Sequence, residues 1–182
     1  MAIYKTLEGP ALDAYRRLVS DLKSRAQTQL NLPESEIVIR NLLPSDLGAN
    51  ASTPDYNVGL SALTWTPIVN AQQIANGRFV GIYGFVVRNA GTGVTGVGNN
   101  LLPYAPAVEQ IRITREGTTA RYWNVKEIPQ WEDQTGYVDD PVSVDQNTSI
   151  TIEGLARTAS SIATTFNIIG VVAEKRGLLI NP

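Results

Sequence analysis

The first periodic stretch of the chain predicts a single helix between residues 10 and 30. Apolar side chains return there at steps of three and four residues, which places them on one helix face. They are Leu12, Tyr15, Leu18 or Val19, Leu22, Ala26 and Leu30. Pro10 suits the first turn of a helix, and the segment 31–33 ends it. One apolar stripe predicts one buried side, packed either on the chain's own sheet or on a neighbouring subunit.

Beyond residue 60 the period of the apolar positions changes to two, which is the spacing of strands with one buried face. The predicted strands are 62–70, 78–88, 107–115, 119–128, 142–145, 148–155 and 165–175, and a short one is predicted at 37–39. Pro67 favours an edge or a bulge in the first of them. The last is almost entirely apolar, which favours a central position in a sheet.

Turn residues mark the boundaries between these elements. Pro, Gly, Asn, Asp and Ser are frequent in 44–59, which predicts a loop or linker. Glu116-Gly117-Thr118 predicts a hairpin between two strands. The sequence therefore predicts a mainly β protein, an antiparallel β-sandwich or jelly roll with an N-terminal α-helical appendage. Its predicted division is a helix and linker arm at 1–59 and a β-sandwich domain at 60–182.

Charge and hydropathy limit the possible partners. The 182 residues carry 15 basic and 17 acidic side chains, and neither end carries a basic arm. Because phosphate contacts dominate affinity for nucleic acids, we expect no direct nucleic-acid binding. No apolar run is long enough for a transmembrane helix and no signal peptide is recognised, so we expect a protein made in a host cytoplasm, with no membrane partner.

The chain contains no histidine and no cysteine. This removes the usual general base, the Ser-His-Asp and Cys-His nucleophile systems, and most zinc ligands. Carboxylate and Ser-Lys enzymes are not excluded by it. We expect a protein that is not an enzyme, with no catalytic residues, no cofactor and no metal.

Two further motifs have an ordinary explanation. The segment 91–96 matches the glycine pattern of dinucleotide-binding loops, but the glycines, asparagines and prolines that follow it cannot open the required helix. Five carboxylates lie close together in sequence, and a solvated acidic loop explains them better than a calcium site or a glycosidase pair. They are Glu132, Asp133, Asp139, Asp140 and Asp145.

Three stretches resemble jelly-roll capsid decoration, or cement, proteins of tailed bacteriophages. They are 78–85 (RFVGIYGF), 109–117 (EQIRITREG) and 168–177 (IIGVVAEKRG). The resemblance spans roughly 60–182 and lies in the general character of these segments more than in a defined motif. It implies a β-sandwich that forms a trimer on an icosahedral shell, with an N-terminal segment that reaches across the capsid surface.

The leading hypothesis is therefore a virion structural protein on the capsid surface, a homotrimer whose partner is the major capsid protein. Adhesion would come from an apolar helix face and from loop aromatics. The predicted interface residues are Leu12, Tyr15, Leu18, Leu22, Tyr104, Trp131 and Tyr137. Replacing Leu18 and Leu22 with Asp is then expected to abolish attachment and to leave the β domain folded.

Three alternatives stay open at this point. The first is another viral structural role, as a coat protein or a tail or fibre component. The second is a carbohydrate-binding module, with or without calcium, that uses Trp123 and Trp131, because exposed aromatic rings stack on sugars. The third is a carboxylate-dependent glycosidase, which would need two facing carboxylates in a cleft.

Overall fold

The computed structural model describes residues 2–50, 55–88, 108–157 and 164–178. One long helix, α1, spans Gly9–Leu30, and the strands form two antiparallel sheets. The strands are β1 (Ile3–Tyr4), β2 (Ile37–Asn41), β3 (Tyr56–Val58), β4 (Thr66–Gln73), β5 (Arg78–Arg88), β6 (Gln110–Arg115), β7 (Thr118–Asn124), β8 (Thr135–Val144), β9 (Ser149–Leu155) and β10 (Thr164–Lys175). Short 3-10 turns lie at Glu34–Glu36, Pro44–Leu47 and Ile128–Gln130. The predicted fold class, a β-sandwich with an N-terminal helix, is confirmed.

The strand order is that of a jelly roll. One sheet runs β1-β8-β5-β10-β2, with β3 also paired to β10, and the other runs β4-β9-β6-β7. Without the short β1 and β3, eight strands pair as first with eighth, second with seventh, third with sixth and fourth with fifth. The β6–β7 hairpin is the innermost pair, and the other pairs follow outward from it. This is the arrangement of one long hairpin folded into a two-sheet sandwich.

The β6–β7 hairpin is closed by the turn that its sequence predicts. The two loop residues, Glu116 and Gly117, have φ angles of 46° and 77°. A two-residue loop with positive φ at both positions is a type I′ turn, whose twist matches that of paired strands. The hairpin predicted at 116–118 is thus confirmed.

Side-chain alternation places the main core between the sheets. In β9 the buried Ile150 and Ile152 alternate with the partly exposed Thr151 and Glu153. Inward-facing residues of β5 and β10, among them Phe85 and Phe166, complete this core, and their rings lie 5.8 Å apart. The central strand β10 is buried on both faces, which explains its almost unbroken apolar sequence.

The helix forms a third layer on the outer face of the six-stranded sheet. Leu18, Leu22 and Ala26 pack there with Phe79 of β5 and Val171 of β10. The helix ends at Asn31, which adopts the left-handed conformation (φ 52°) common at helix C-termini. Of the two arrangements that the sequence left open, the structure has the helix on its own sheet.

Several strand predictions differ from the structure. The strand predicted at 62–70 is β4, at Thr66–Gln73, and the strand predicted at 119–128 is β7, which ends at Asn124. The strand predicted at 142–145 is the end of the longer β8. Gly136, Asp139 and Pro141 weaken the strand pattern in the first part of β8, so the sequence predicts only its end. Pro141 has no N–H to donate, and it falls where the pairing of β5 with β8 is irregular, between Gly84 and Ile82. Strands β1 and β3 were not predicted. Together with β2 they build part of the predicted arm, 1–59, into the sandwich.

A buried ion network joins the turn at Pro44–Leu47 to the edge of the six-stranded sheet. Arg40 donates to both oxygens of Asp46 (2.6 and 2.7 Å) and to Glu174 (2.9 Å). Arg78 donates to the same two carboxylates, at 3.1 Å each. Glu174 is fully buried. Two arginines and two carboxylates thus balance their charges at a position where both carboxylates are buried.

Candidate functional site

The outer face of the four-stranded sheet carries a cluster of aromatic and charged side chains. Arg112 of β6 lies directly opposite Tyr122 of β7 and Glu153 of β9. Because Ile111 and Ile113 point into the core, strand alternation turns Arg112 outward. Trp65, just before β4, completes the set. We call Trp65, Arg112, Tyr122 and Glu153 the aromatic–arginine cluster.

The guanidinium of Arg112 is held from three sides. It lies 4.5 Å above the centre of the Trp65 ring, which is cation–π geometry. Glu153 accepts a hydrogen bond from its Nε at 2.6 Å. The rings of Trp65 and Tyr122 meet edge to face at 5.9 Å. Burial by itself lowers the pKa of Arg112, but its hydrogen bonds to Glu153 and Tyr122 outweigh that effect and the pKa is raised. The cation is therefore permanent and fixed in position.

Two apolar side chains at or near this cluster are exposed to solvent. Tyr122 is 47% exposed, and Leu63, two residues before Trp65, is 77% exposed. Leu63 has a φ of 53°, a conformation that leucine rarely adopts. Its N–H donates to the carbonyl of Ala156 at 2.8 Å, which holds the backbone there. The backbone that leads into Trp65 is therefore held in place, and Tyr122 is the more exposed of the two rings of the cluster.

Tyrosines form a second aromatic group on the outer face of the six-stranded sheet, beside the helix. Tyr83 of β5 lies 4.8 Å from Tyr15 of the helix and 6.2 Å from Tyr137 of β8, measured between ring centres. Tyr4 of β1 pairs directly with Tyr137. Burial, reinforced by the neighbouring Tyr15 and Tyr137, raises the pKa of Tyr83 to about 12. All four tyrosines are half-buried, so this group is partly covered already.

The predicted interface residues on the helix do not share one environment. Leu18 and Leu22 are buried under the chain's own sheet, so neither is accessible to a partner in this structure. Leu12 and Tyr15 are half-buried. The structure thus brings Leu18 and Leu22 to the sheet and leaves only part of Leu12 and Tyr15 open. The physical reason is that the apolar outer face of the sheet needs a cover, and the helix provides it.

The predicted loop residues are also dispersed. Trp131 is half-buried and packs against the main core, where it lines a small cleft. Tyr137 belongs to the tyrosine group described above. Tyr104 and the glycine-rich segment 91–96 lie outside the described residues.

The pair proposed for sugar stacking is separated by the fold. Trp123 is only 2% exposed, and its ring lies 5.3 Å from that of Phe85 in the core. It therefore cannot stack on a sugar in solution. Trp131 remains accessible from the cleft.

The acidic stretch does not converge on one point. Asp139 accepts a hydrogen bond from the N–H of Ala2, whereas Asp140 pairs with Arg121. Asp145 pairs with Arg25 of the helix at 3.2 Å. Within the described ranges, no group of three acidic side chains is arranged to hold a metal ion.

Comparison with other proteins gives no identification. No protein-family model, curated protein or solved structure matches this chain. In the parts of the chain that the structure describes, no helix is long and apolar enough to span a membrane. Function must therefore be argued from the surfaces described above.

Sequence reasoning missed the aromatic–arginine cluster. A signal was present on the predicted strands. Arg112 stands between two isoleucines and Glu153 follows one, and a residue next to a buried one in a strand faces outward. What the sequence lacked was the pairing. Only the strand order places β6 between β7 and β9, and so brings Arg112, Tyr122 and Glu153 side by side.

Proposed function

We propose that this protein is a virion structural protein that decorates or cements an icosahedral capsid through protein–protein contacts. Two features support the proposal. The chain has a jelly-roll strand order, an architecture used by viral capsid proteins as well as by lectins. The observation that carries the proposal is the aromatic–arginine cluster, which offers a binding surface on an exposed face of this sandwich.

The composition of the cluster is typical of protein interfaces. Trp, Tyr and Arg are the residue types that contribute most often to binding hot spots. Here one of each lies in mutual contact, and the exposed Leu63 is two residues before Trp65 in the chain. A protein partner that covered this surface would bury the exposed parts of Tyr122 and Leu63 together.

The cluster also needs little ordering before it binds. Arg112 is already fixed by Glu153 and by the ring of Trp65. Side chains that are immobilised in the free protein lose less entropy on association, which favours affinity. We therefore place the capsid-contacting surface on this sheet face, in place of the helix face that the sequence predicted.

The experiment is co-sedimentation of the purified protein with empty shells of the major capsid protein from the same virus. The unmodified protein is expected to sediment with the shells at saturable occupancy. A Leu63→Ser/Tyr122→Ser double variant is expected to lose at least about tenfold in affinity, because exposed hot-spot residues contribute roughly 1–2 kcal/mol each. Both positions are exposed, so the variant should stay folded.

Leu178→Ser provides the matched control. Leu178 is also an exposed leucine, at 38%, but it lies beyond the end of β10 in the other sheet. It should sediment like the unmodified protein. Failure of the unmodified protein to bind shells contradicts the proposed function, whereas equal binding by the double variant contradicts only the assigned surface.

A further inference from the structure

A small cleft opens between the end of β7 and the short strand β1. Its volume is about 160 Å³, and it is lined by Ile3, Asn124, Glu127, Ile128 and Trp131. Three of the five are apolar side chains, and the amide of Asn124 and the carboxylate of Glu127 supply polar groups. None of its lining residues belongs to the aromatic–arginine cluster, although Asn124 lies two residues beyond Tyr122 on the same face of β7.

The backbone around the cleft is fixed by a chain of hydrogen bonds. The N–H of Trp131 donates to the carbonyl of Ile128 at 3.0 Å, and the N–H of Gln134 donates to the carbonyl of Trp131 at 3.0 Å. The ring of Trp131 also packs against the main core. The aromatic wall of the cleft is therefore rigid before any ligand arrives.

The two polar side chains have hydrogen-bonding capacity to spare. The side-chain oxygen of Asn124 accepts from the N–H of Lys126 at 3.3 Å, which leaves its amide nitrogen to donate outward. Glu127 is exposed, and among the described residues its carboxylate forms no ion pair with a basic side chain that would occupy it. One donor and one strong acceptor thus flank an aromatic ring.

We propose that this cleft binds a single neutral sugar residue of a glycan. A pyranose has one face of C–H groups, which suits the apolar indole of Trp131, and a rim of hydroxyls that both donate and accept hydrogen bonds. Asn124 and Glu127 match that rim. The cleft has about the size of one sugar ring, so the rest of the glycan extends into solvent. Jelly rolls include lectins as well as capsid proteins.

The charge around the cleft favours neutral sugars over anionic ones. The carboxylate of Glu127 lines the cleft and repels an anionic ligand, and the exposed Glu132 and Asp133 follow Trp131 in the chain, against one exposed base nearby, Lys126. The whole chain has a net charge of -2. Neutral hexoses and N-acetylhexosamines are therefore favoured over sialic acids and uronic acids.

The test is NMR titration of the ¹⁵N-labelled protein with methyl glycosides of glucose, galactose, mannose, N-acetylglucosamine and N-acetylgalactosamine. At least one of them is expected to shift the amide signals of Asn124 and Glu127 and the indole signal of Trp131. Methyl sialoside is expected to leave them in place. Glu127→Gln should weaken binding about fivefold, because the amide oxygen still accepts but its hydrogen bond is no longer charge-assisted. Trp131→Phe should weaken it while preserving the packing against the core.

Lys126→Gln is the control, since Lys126 is exposed beside Glu127 and only its backbone N–H contacts Asn124. It should bind as the unmodified protein does. Absence of shifts in the cleft with every neutral glycoside at the solubility limit overturns the proposal, as does sugar binding that Glu127→Gln and Trp131→Phe both leave unchanged. The result does not depend on capsid binding, because the Leu63→Ser/Tyr122→Ser variant should retain the cleft.

Discussion

At the scale of single residues, the most constrained side chain is Glu174. It lies in a central strand with no exposure to water, and its charge is tolerated because Arg40 and Arg78 both donate to it. The same two arginines bind Asp46, so the network joins β2, β5, β10 and the turn at Pro44–Leu47. When one carboxylate is lost, each arginine still has a second acceptor. The network then carries an uncompensated positive charge.

Glu174→Gln is expected to destabilise the fold by about 3 kcal/mol, since removing one partner from a buried ion pair leaves uncompensated charge. Urea unfolding followed by tryptophan fluorescence measures the change in the free energy of unfolding. Glu34→Gln is the matched control: its pair with Lys23 is mostly exposed, and such pairs contribute less than about 1 kcal/mol. Equal losses in the two variants would contradict the role given to the buried network.

At the scale of elements, the helix and the six-stranded sheet fit closely because of a glycine. A Cβ on Gly81 would lie 2.7 Å from Leu22 Cδ1 and 2.8 Å from Leu18 Cδ2, so a side chain there would force both leucines to move. The contact also explains why the Asp substitutions at Leu18 and Leu22 no longer test attachment. They would bury two charges between helix and sheet, and a loss of binding would then reflect a loss of folding.

Leu22→Ala is expected to cost about 2–5 kcal/mol in the free energy of unfolding, the usual range for a large side chain removed from a packed interior. Leu22 is fully buried, whereas Arg17 on the same helix is exposed. Arg17→Ala is therefore the control and should change stability by less than about 0.5 kcal/mol. A helix that served only as a mobile arm would show the same small effect at Leu22.

At the scale of the whole molecule, the proposed role on an icosahedral shell leads us to expect a symmetric assembly. We expect a homotrimer, and light scattering across a dilution series should give three times the chain mass of 19.7 kDa. A closed trimer should hold that mass as the concentration falls. A monomer at all concentrations would contradict the trimer and would give the sugar-binding cleft more weight as the functional surface.

Local signals in the sequence were sufficient for much of the architecture. The four-residue spacing of Leu18, Leu22 and Ala26 predicts the helix, because a helix brings those positions to one face whatever lies opposite. Strand β5 was predicted with the bounds that it has. The β6–β7 hairpin was also predicted, because the type I′ turn at Glu116-Gly117 depends on local backbone geometry alone.

Only the tertiary structure decided what those elements face. The buried side of the helix could be read from the sequence, but its partner could not, since an apolar stripe fits any apolar surface. Likewise, Trp123 and Trp65 look alike in the chain, yet strand pairing puts one in the core and the other over Arg112. The sequence by itself determined a helix followed by a β-sandwich without histidine or cysteine chemistry. Its binding surfaces depend on contacts between residues far apart in the chain, which local periodicity does not encode.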